Sequence, residues 1–188
     1  MIILLSGPPR SGKDTAKAII DKHVRTPIGH YRMGNPMRDF LKHVMKVPPQ
    51  TYKEMLEEKK DLTTHLLNNH SPRTIQIETF KFLKKMFGEN VLGVIAVDAI
   101  ASMPYDKFIV DCGRPEEIQP IHSYFTGRLV KAIKLSRPGC SYEGDSREDI
   151  NYGSMNIEYQ EINNEYDLEM FEIQVRRAIS KWVSLKEN

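Results

Sequence analysis

Cysteine, tryptophan and long apolar runs are all scarce in this 188-residue chain. Its two cysteines, Cys112 and Cys140, have neither metal-ligand spacing nor the density of a disulfide scaffold, so reduced thiols are expected. The opening apolar run, Met1 to Leu5, is far shorter than a signal-peptide core or a membrane span, and no other stretch qualifies. A soluble cytoplasmic protein without a membrane partner is therefore the expectation. One-sided charge is missing too: 27 Lys and Arg stand against 25 Asp and Glu, a net charge of +2. Without a basic block, the electrostatic footprint of a nucleic-acid binder is absent, and no nucleic-acid partner is expected. There is no internal repeat and no low-complexity segment.

What remains is ordinary globular material, 40% hydrophobic and 28% charged, of a length that suits one domain with a substantial core. Ile2-Ile3-Leu4-Leu5 reads as a parallel strand covered on both faces. Ala16, Ile19, Ile20 and Val24 then recur at helical spacing. Met37 to Met45 predicts a second helix ended by Pro48-Pro49, and Tyr52 to Leu67 a third, charged one. Ser71-Pro72 is an N-cap followed by proline at the first helical position, opening a helix that stops at Gly88. Val91 to Ala101 is a further apolar helix. Strands are expected at Phe108 to Asp111, Arg128 to Leu135 and Ile157 to Ile162, and a last helix along Leu168, Phe171, Val175, Ile179 and Val183. Strands separated by helices predict a three-layer α/β/α fold on a parallel sheet.

Gly7 to Thr15 reads GPPRSGKDT, with Gly7, Gly12 and Lys13 at the spacing of a phosphate-binding P-loop between a strand and a helix. Glycines let successive backbone N–H groups point into one anion-sized hollow, and the helix adds its positive end. Lys13 is placed to reach the β and γ phosphates; Arg10 and Ser11 belong to the same loop. The position after the lysine is Asp14, and the hydroxyl comes one residue later as Thr15. Thr15 is taken to face phosphate and Mg²⁺, with Asp14 an alternative through water.

A bound Mg-nucleotide needs a carboxylate at the end of a neighbouring strand, and Asp111 is the good candidate. The competing reading makes it the cap of the helix beginning near Pro115. Phosphoryl transfer also needs arginines around donor and acceptor. Arg38, Arg73, Arg114 and Arg137 fall in loops or at helix starts, and Arg147 lies within Ser136 to Gly153. That segment is polar with few apolar anchors, so a mobile lid is expected, carrying Arg137 or Arg147 onto the phosphates.

Taken in order, GPPRSGKDT, YRMGNPMRDFL, SPRTIQIETF, IVDCGRPEE, LSRPG and YQEINNEYDLE resemble the deoxynucleoside monophosphate kinases of tailed phages, within the adenylate-kinase-like group. The resemblance implies a P-loop kinase fold with a parallel five-stranded sheet, a helical acceptor-binding segment at about residues 34–88 and a lid loop at about 136–153. It implies that Lys13 and Thr15 hold the triphosphate of ATP and that Asp111 helps place Mg²⁺. Arg38 and Arg73 would meet the acceptor phosphate, with Glu78 near its base; Arg114 would lie beside the transferred group, and Arg137 and Asn163 near the donor adenine. Glu78 departs from the family, standing where a glutamine often sits.

The implied activity is transfer of the ATP γ-phosphoryl group to a (deoxy)nucleoside 5′-monophosphate by a monomer or homodimer. Two alternatives stay open. Phosphomevalonate kinases resemble the same Gly-Lys-Asp loop, which allows another phosphorylated small metabolite as acceptor. A nucleotide-dependent switch would have no acceptor, and Arg38 and Arg73 count against it.

Overall fold

Ile2–Ser6 forms strand β1 and is buried along its whole length, as apolar side chains on both faces of a strand require. The structure is a computed structural model describing residues 1–45, 48–125, 130–145 and 147–186. After β1 come helix α1 (Lys13–His23), strand β2 (Gly29–Arg32), and helices α2 (Asn35–Met45) and α3 (Pro49–Lys53). Helices α4 (Pro72–Phe87) and α5 (Val91–Ala101) lead to strand β3 (Phe108–Asp111). Helix α6 (Pro115–Tyr124), strands β4 (Val130–Ser136) and β5 (Glu158–Asn163), and helix α7 (Leu168–Ser180) complete the chain.

The five strands are parallel, in the order β2-β3-β1-β4-β5. Alternation along the strands divides the core in two. Ile2, Leu4, Phe108, Val110 and Ala132 face a layer built from α5 and α6, meeting Leu92, Ala96, Ile100, Ile118 and Ile121. Ile3, Leu5, Ile109 and Ile133 face the opposite way, onto Ile19 and Ile20 of α1 and Phe171, Val175 and Ile179 of α7. The expected three-layer α/β/α arrangement on a five-stranded parallel sheet is what forms. Each fully buried Ile, Leu or Phe contributes about 1.5–3 kcal/mol, so these two seams carry most of the stability.

Most helix boundaries follow from local chemistry. Ser71 Oγ accepts from Thr74 N at 3.1 Å, Pro72 takes the first helical position, and Gly88 at φ 93° ends α4. The third helix, expected over Tyr52 to Leu67, is different. α3 is short and passes into a wide turn over Glu54–Glu58, closed by Lys59 N donating to Glu54 O at 2.9 Å. A separate 3₁₀ turn spans His65–Leu67, capped by Thr64 Oγ1. The wide turn brings the sequence neighbours Met55 and Leu56 into one small core with Leu41 and Leu67, and Lys59 to Asp61 offer no apolar residue to carry a helical stripe onward.

Strand β2 had no signal in the sequence pattern: it has four residues, lies at the sheet edge, and only Gly29 and Tyr31 of it are buried. Arg128 and Leu129, expected to begin β4, lie outside the described residues. Of the segment expected as a loop, Ser136 belongs to β4 and Gly153 opens a 3₁₀ turn; the described residues between them have neither strand nor helix, yet they are better anchored than their composition suggests. Ile150 and Tyr152 are each 1% exposed and join the α5–α6 side of the core. Among the described residues, no helix is long and apolar enough to cross a membrane.

Candidate active site

Parallel pairing places the carboxyl ends of adjacent strands side by side, so whatever follows β1 and β3 shares one edge of the sheet. Leu5 is in register with Asp111. The glycine loop leaves β1 here, with Gly7 at φ 151° and Gly12 at φ 103°, a backbone region that side chains disfavour. Gly12 is also the N-cap of α1, so the loop ends at the positive end of that helix. Ser11 is fully buried, and among the described residues its hydroxyl has no partner.

Lys13 folds back over the loop, donating from Nζ to the carbonyls of Gly7 at 2.7 Å and Pro8 at 2.8 Å. Burial pulls its pKa below the ordinary lysine value, with Arg147 pushing the same way and Asp111 opposing. Burial in turn raises the Asp111 carboxyl, against the pull of Lys13, Lys17, Arg147 and Arg32. Each group is thus partly compensated by the other, a charge balance that a bound polyphosphate would change. Asp111 is not the cap of α6: the buried Glu117 accepts from the backbone N–H of Gly113 at 3.0 Å and of Arg114 at 3.2 Å.

Asp14 and Thr15 diverge in use. The Asp14 carboxylate meets Lys17 Nζ and Arg32 Nη2, each at 3.1 Å, beside a depression shared with Asp21 and His30. Burial alone would raise its pKa, but the hydrogen bond and charge of Lys17, with Arg32 and Lys13, lower it overall. The Thr15 side chain is exposed at the first turn of α1. No group of three or more His, Cys, Asp or Glu able to hold a metal exists among the described residues. Asp111 ends β3 beside the loop, and Thr15 lies on the first turn of α1, the two oxygen-bearing groups expected to face Mg²⁺.

Arg147 is where the loop between β4 and β5 meets the site. Its guanidinium forms a two-pronged pair with Asp145, Nε to Oδ1 and Nη2 to Oδ2, both at 2.8 Å. Hydrogen bonds from Arg147, together with its charge and that of Arg73, hold the Asp145 carboxyl down to about 2. The stem of Arg147 lies over Gly113, where an added Cβ would come within 2.4 Å of Arg147 Cδ. Glu148 N donates to Gly113 O at 3.2 Å, so the loop is seated on the turn after β3.

Arg114, at the start of α6, donates from Nη1 to Glu117 Oε1 at 2.6 Å and stacks 4.2 Å from the Phe80 ring centroid on α4. Arg73 pairs with Asp61, and its charge also acts weakly on Asp145. Arg38 lies on α2, its carbonyl accepting from Tyr52 Oη at 2.5 Å. Glu78 is exposed and paired with Lys81 at 2.7 Å. Five residues along a helix turn it about 140° away from Arg73, whereas Gln76 and Ile77 share the Arg73 face. Arg10 and Arg137 are exposed, Arg10 with φ 65°. Asn163 is exposed and its Nδ2 turns outward to Glu165 at 2.9 Å.

The next residue, Asn164, was not anticipated, although it touches the phosphate loop directly: its Nδ2 donates to Ser11 O at 3.0 Å. Glu117 was also missed, though its place three residues after Arg114, in a Pro-Glu-Glu helix start, is the spacing of a capping box. Lys13, Asp111 and Arg147 act on one another electrostatically, whereas Glu78, Asn163 and Arg137 are exposed.

A glycine loop between the first strand and helix of a parallel sheet, with a carboxylate ending the adjacent strand, defines a P-loop α/β architecture. No family model matches the chain, and no curated protein matches it. Among solved structures it is similar to an unliganded sugar kinase from Janibacter sp. HTCC2649, at 12% identity and TM-score 0.42 over 95% of this chain and 94% of that one. It is similar also to a gluconokinase from Sinorhizobium meliloti 1021, at 11% identity and TM-score 0.44 over 96% of this chain and 92% of that one. At these values neither likeness decides anything about the site, which is read from this chain's own residues.

Proposed function

We propose that this protein is a kinase transferring the γ-phosphoryl group of ATP to a (deoxy)nucleoside 5′-monophosphate, giving the diphosphate. The observation that supports the reading is one edge of the sheet: Lys13 folds over the glycine loop after β1, Asp111 ends the adjacent β3 in register with Leu5, and the Arg147 stem lies over Gly113. The flanking arginines of α2, α4 and α6 supply the acceptor side. In the reaction an oxygen of the acceptor phosphate attacks the γ-phosphorus, the bond to the β–γ bridging oxygen breaks, and ADP leaves. Little covalent chemistry is asked of the protein, so positioning and neutralisation of charge supply the catalysis.

In this reading the loop amides and Lys13 hold the β and γ phosphates, Arg38 and Arg73 bind the acceptor phosphate, and Arg114 sits beside the transferred group. Asp111 and Thr15 would hold Mg²⁺, which neutralises charge on the phosphate oxygens. The segment at about residues 136–153 acts as a lid that excludes water, docked through the buried Ile150 and Tyr152, with Arg147 as the cation it holds over the phosphates. Exchange of Asp145 for phosphate as the partner of Arg147 would couple substrate binding to closure.

The test is ADP formation from ATP across a panel of ribo- and deoxyribonucleoside monophosphates, with phosphorylated non-nucleotide metabolites alongside. Turnover that depends strongly on one nucleoside monophosphate supports the proposal. Slow hydrolysis indifferent to every acceptor would leave a nucleotide switch, and preference for a non-nucleotide phosphate would move the acceptor class.

A further inference from the structure

We propose that Asn164 is a positioning residue for phosphate binding: by holding the Ser11 carbonyl it turns the Gly12 N–H into the anion hollow. The proposal rests on the P-loop reading of the site. Asn164 follows β5, and two hydrogen bonds fix it. Its backbone N donates to Ser136 O at 2.8 Å, tying it to the end of β4, and its side-chain Nδ2 donates to Ser11 O at 3.0 Å. The Ser11–Gly12 peptide is trans, since there are no cis bonds among the described residues. In a trans peptide the C=O and N–H point in opposite directions. Drawing the Ser11 carbonyl outward toward Asn164 therefore aims the Gly12 N–H inward, where successive amides form an anion-binding concavity.

The requirement for glycine at residue 12 fits this arrangement from a second side. A Cβ there would lie 2.6 Å from Asn164 Nδ2 and 3.4 Å from Phe171 Cζ. Gly12 thus gives Asn164 room to approach as well as adopting its positive φ. Asn163 cannot substitute, because its amide is turned to Glu165. A base-binding role for Asn164 would predict loss of ATP affinity alone. A positioning role acts on phosphate whatever is attached to it.

Calorimetric titration of the full chain with inorganic tripolyphosphate and with ATP separates these. Asn164→Ala is expected to weaken both ligands equally, by the about three- to tenfold that one lost hydrogen bond of this kind commands. Asn164→Asp, which sets an acceptor against the Ser11 carbonyl, should weaken both at least as much. In turnover the ATP KM rises while the acceptor KM stays put. Weaker ATP with unchanged tripolyphosphate, or no change in either, overturns the proposal. If the variants do not fold, the wild-type protein still decides: the Gly12 amide resonance must shift on adding tripolyphosphate, and a silent Gly12 overturns the idea. A wild-type protein that binds neither ligand would overturn the P-loop reading itself, and this inference with it.

Discussion

Glu117 offers the sharpest test of how the site is held together. Its carboxylate is 1% exposed and accepts from two backbone N–H groups and from Arg114 Nη1 at 2.6 Å. Glu117→Ala strands those donors in a buried environment. Breaking a buried, hydrogen-bonded pair from one side costs about 3–5 kcal/mol. For a domain of this size each kcal/mol lowers the melting temperature by about 2–4 °C, so a fall of about 6–20 °C is expected.

Glu117→Gln keeps the size and an acceptor oxygen for the two backbone N–H groups but sets an amide donor against Arg114 Nη1, so it should cost about 1–3 kcal/mol, less than alanine. The two variants also differ in pH response. Burial raises the Glu117 carboxyl, against Arg114 and the Gly113 N–H. A carboxyl with a raised folded pKa binds its proton more tightly in the fold. Its stabilising contribution is complete below the unfolded value of about 4.3 and is lost as pH rises through the folded value. Thermal melts of wild type and Glu117→Gln should therefore diverge in favour of wild type on going from neutral pH to below about 4. An alanine variant melting within a degree or two of wild type, or a glutamine variant as damaged as the alanine one, would refute this account of the turn.

On the proposed reading Lys13→Ala should cost several orders of magnitude in kcat with the fold intact, because the residue would face charge that develops during transfer; near-normal turnover would sink the assignment. Arg73→Ala should raise the acceptor KM far more than the ATP KM, and steady-state kinetics with each substrate varied checks it. Asp111→Asn should shift the Mg²⁺ dependence of turnover to higher concentration, and an unchanged titration would redirect attention to Asp14.

Where local chemistry decides, the sequence was readable to the residue. Phe108 to Asp111 and Val91 to Ala101 coincide with β3 and α5, and Ser71, Pro72 and Gly88 bound α4 as their types demand. The placement of Gly12, Lys13 and Asp111 at the ends of β1 and β3 was legible for the same reason, since loop spacing and strand ends are local features. Failures lie where tertiary contact overrides pattern. β2 is too short to show a period, and the wide turn after α3 exists only because Leu41 and Leu67 draw in both Met55 and Leu56. Counting polar residues in the segment after β4 hid the weight of Ile150 and Tyr152. Of two adjacent asparagines, only the fold says which one reaches Ser11.

Cys112 turns the seating of that segment into something a chemist can time. The thiol is 2% exposed, one residue beyond Asp111, donating weakly to Leu5 O at 3.8 Å and lying 3.6 Å from the Tyr152 hydroxyl. Burial pushes its pKa far above the ordinary thiol value, so it is held protonated and shielded from electrophiles. Cys140, half-exposed on the same segment, has no such cover. An alkylating reagent should therefore consume Cys140 promptly, and reach Cys112 only in the fraction of molecules whose Tyr152 has lifted away. The slow phase of labelling then becomes a built-in clock for undocking, read without adding any probe to the chain.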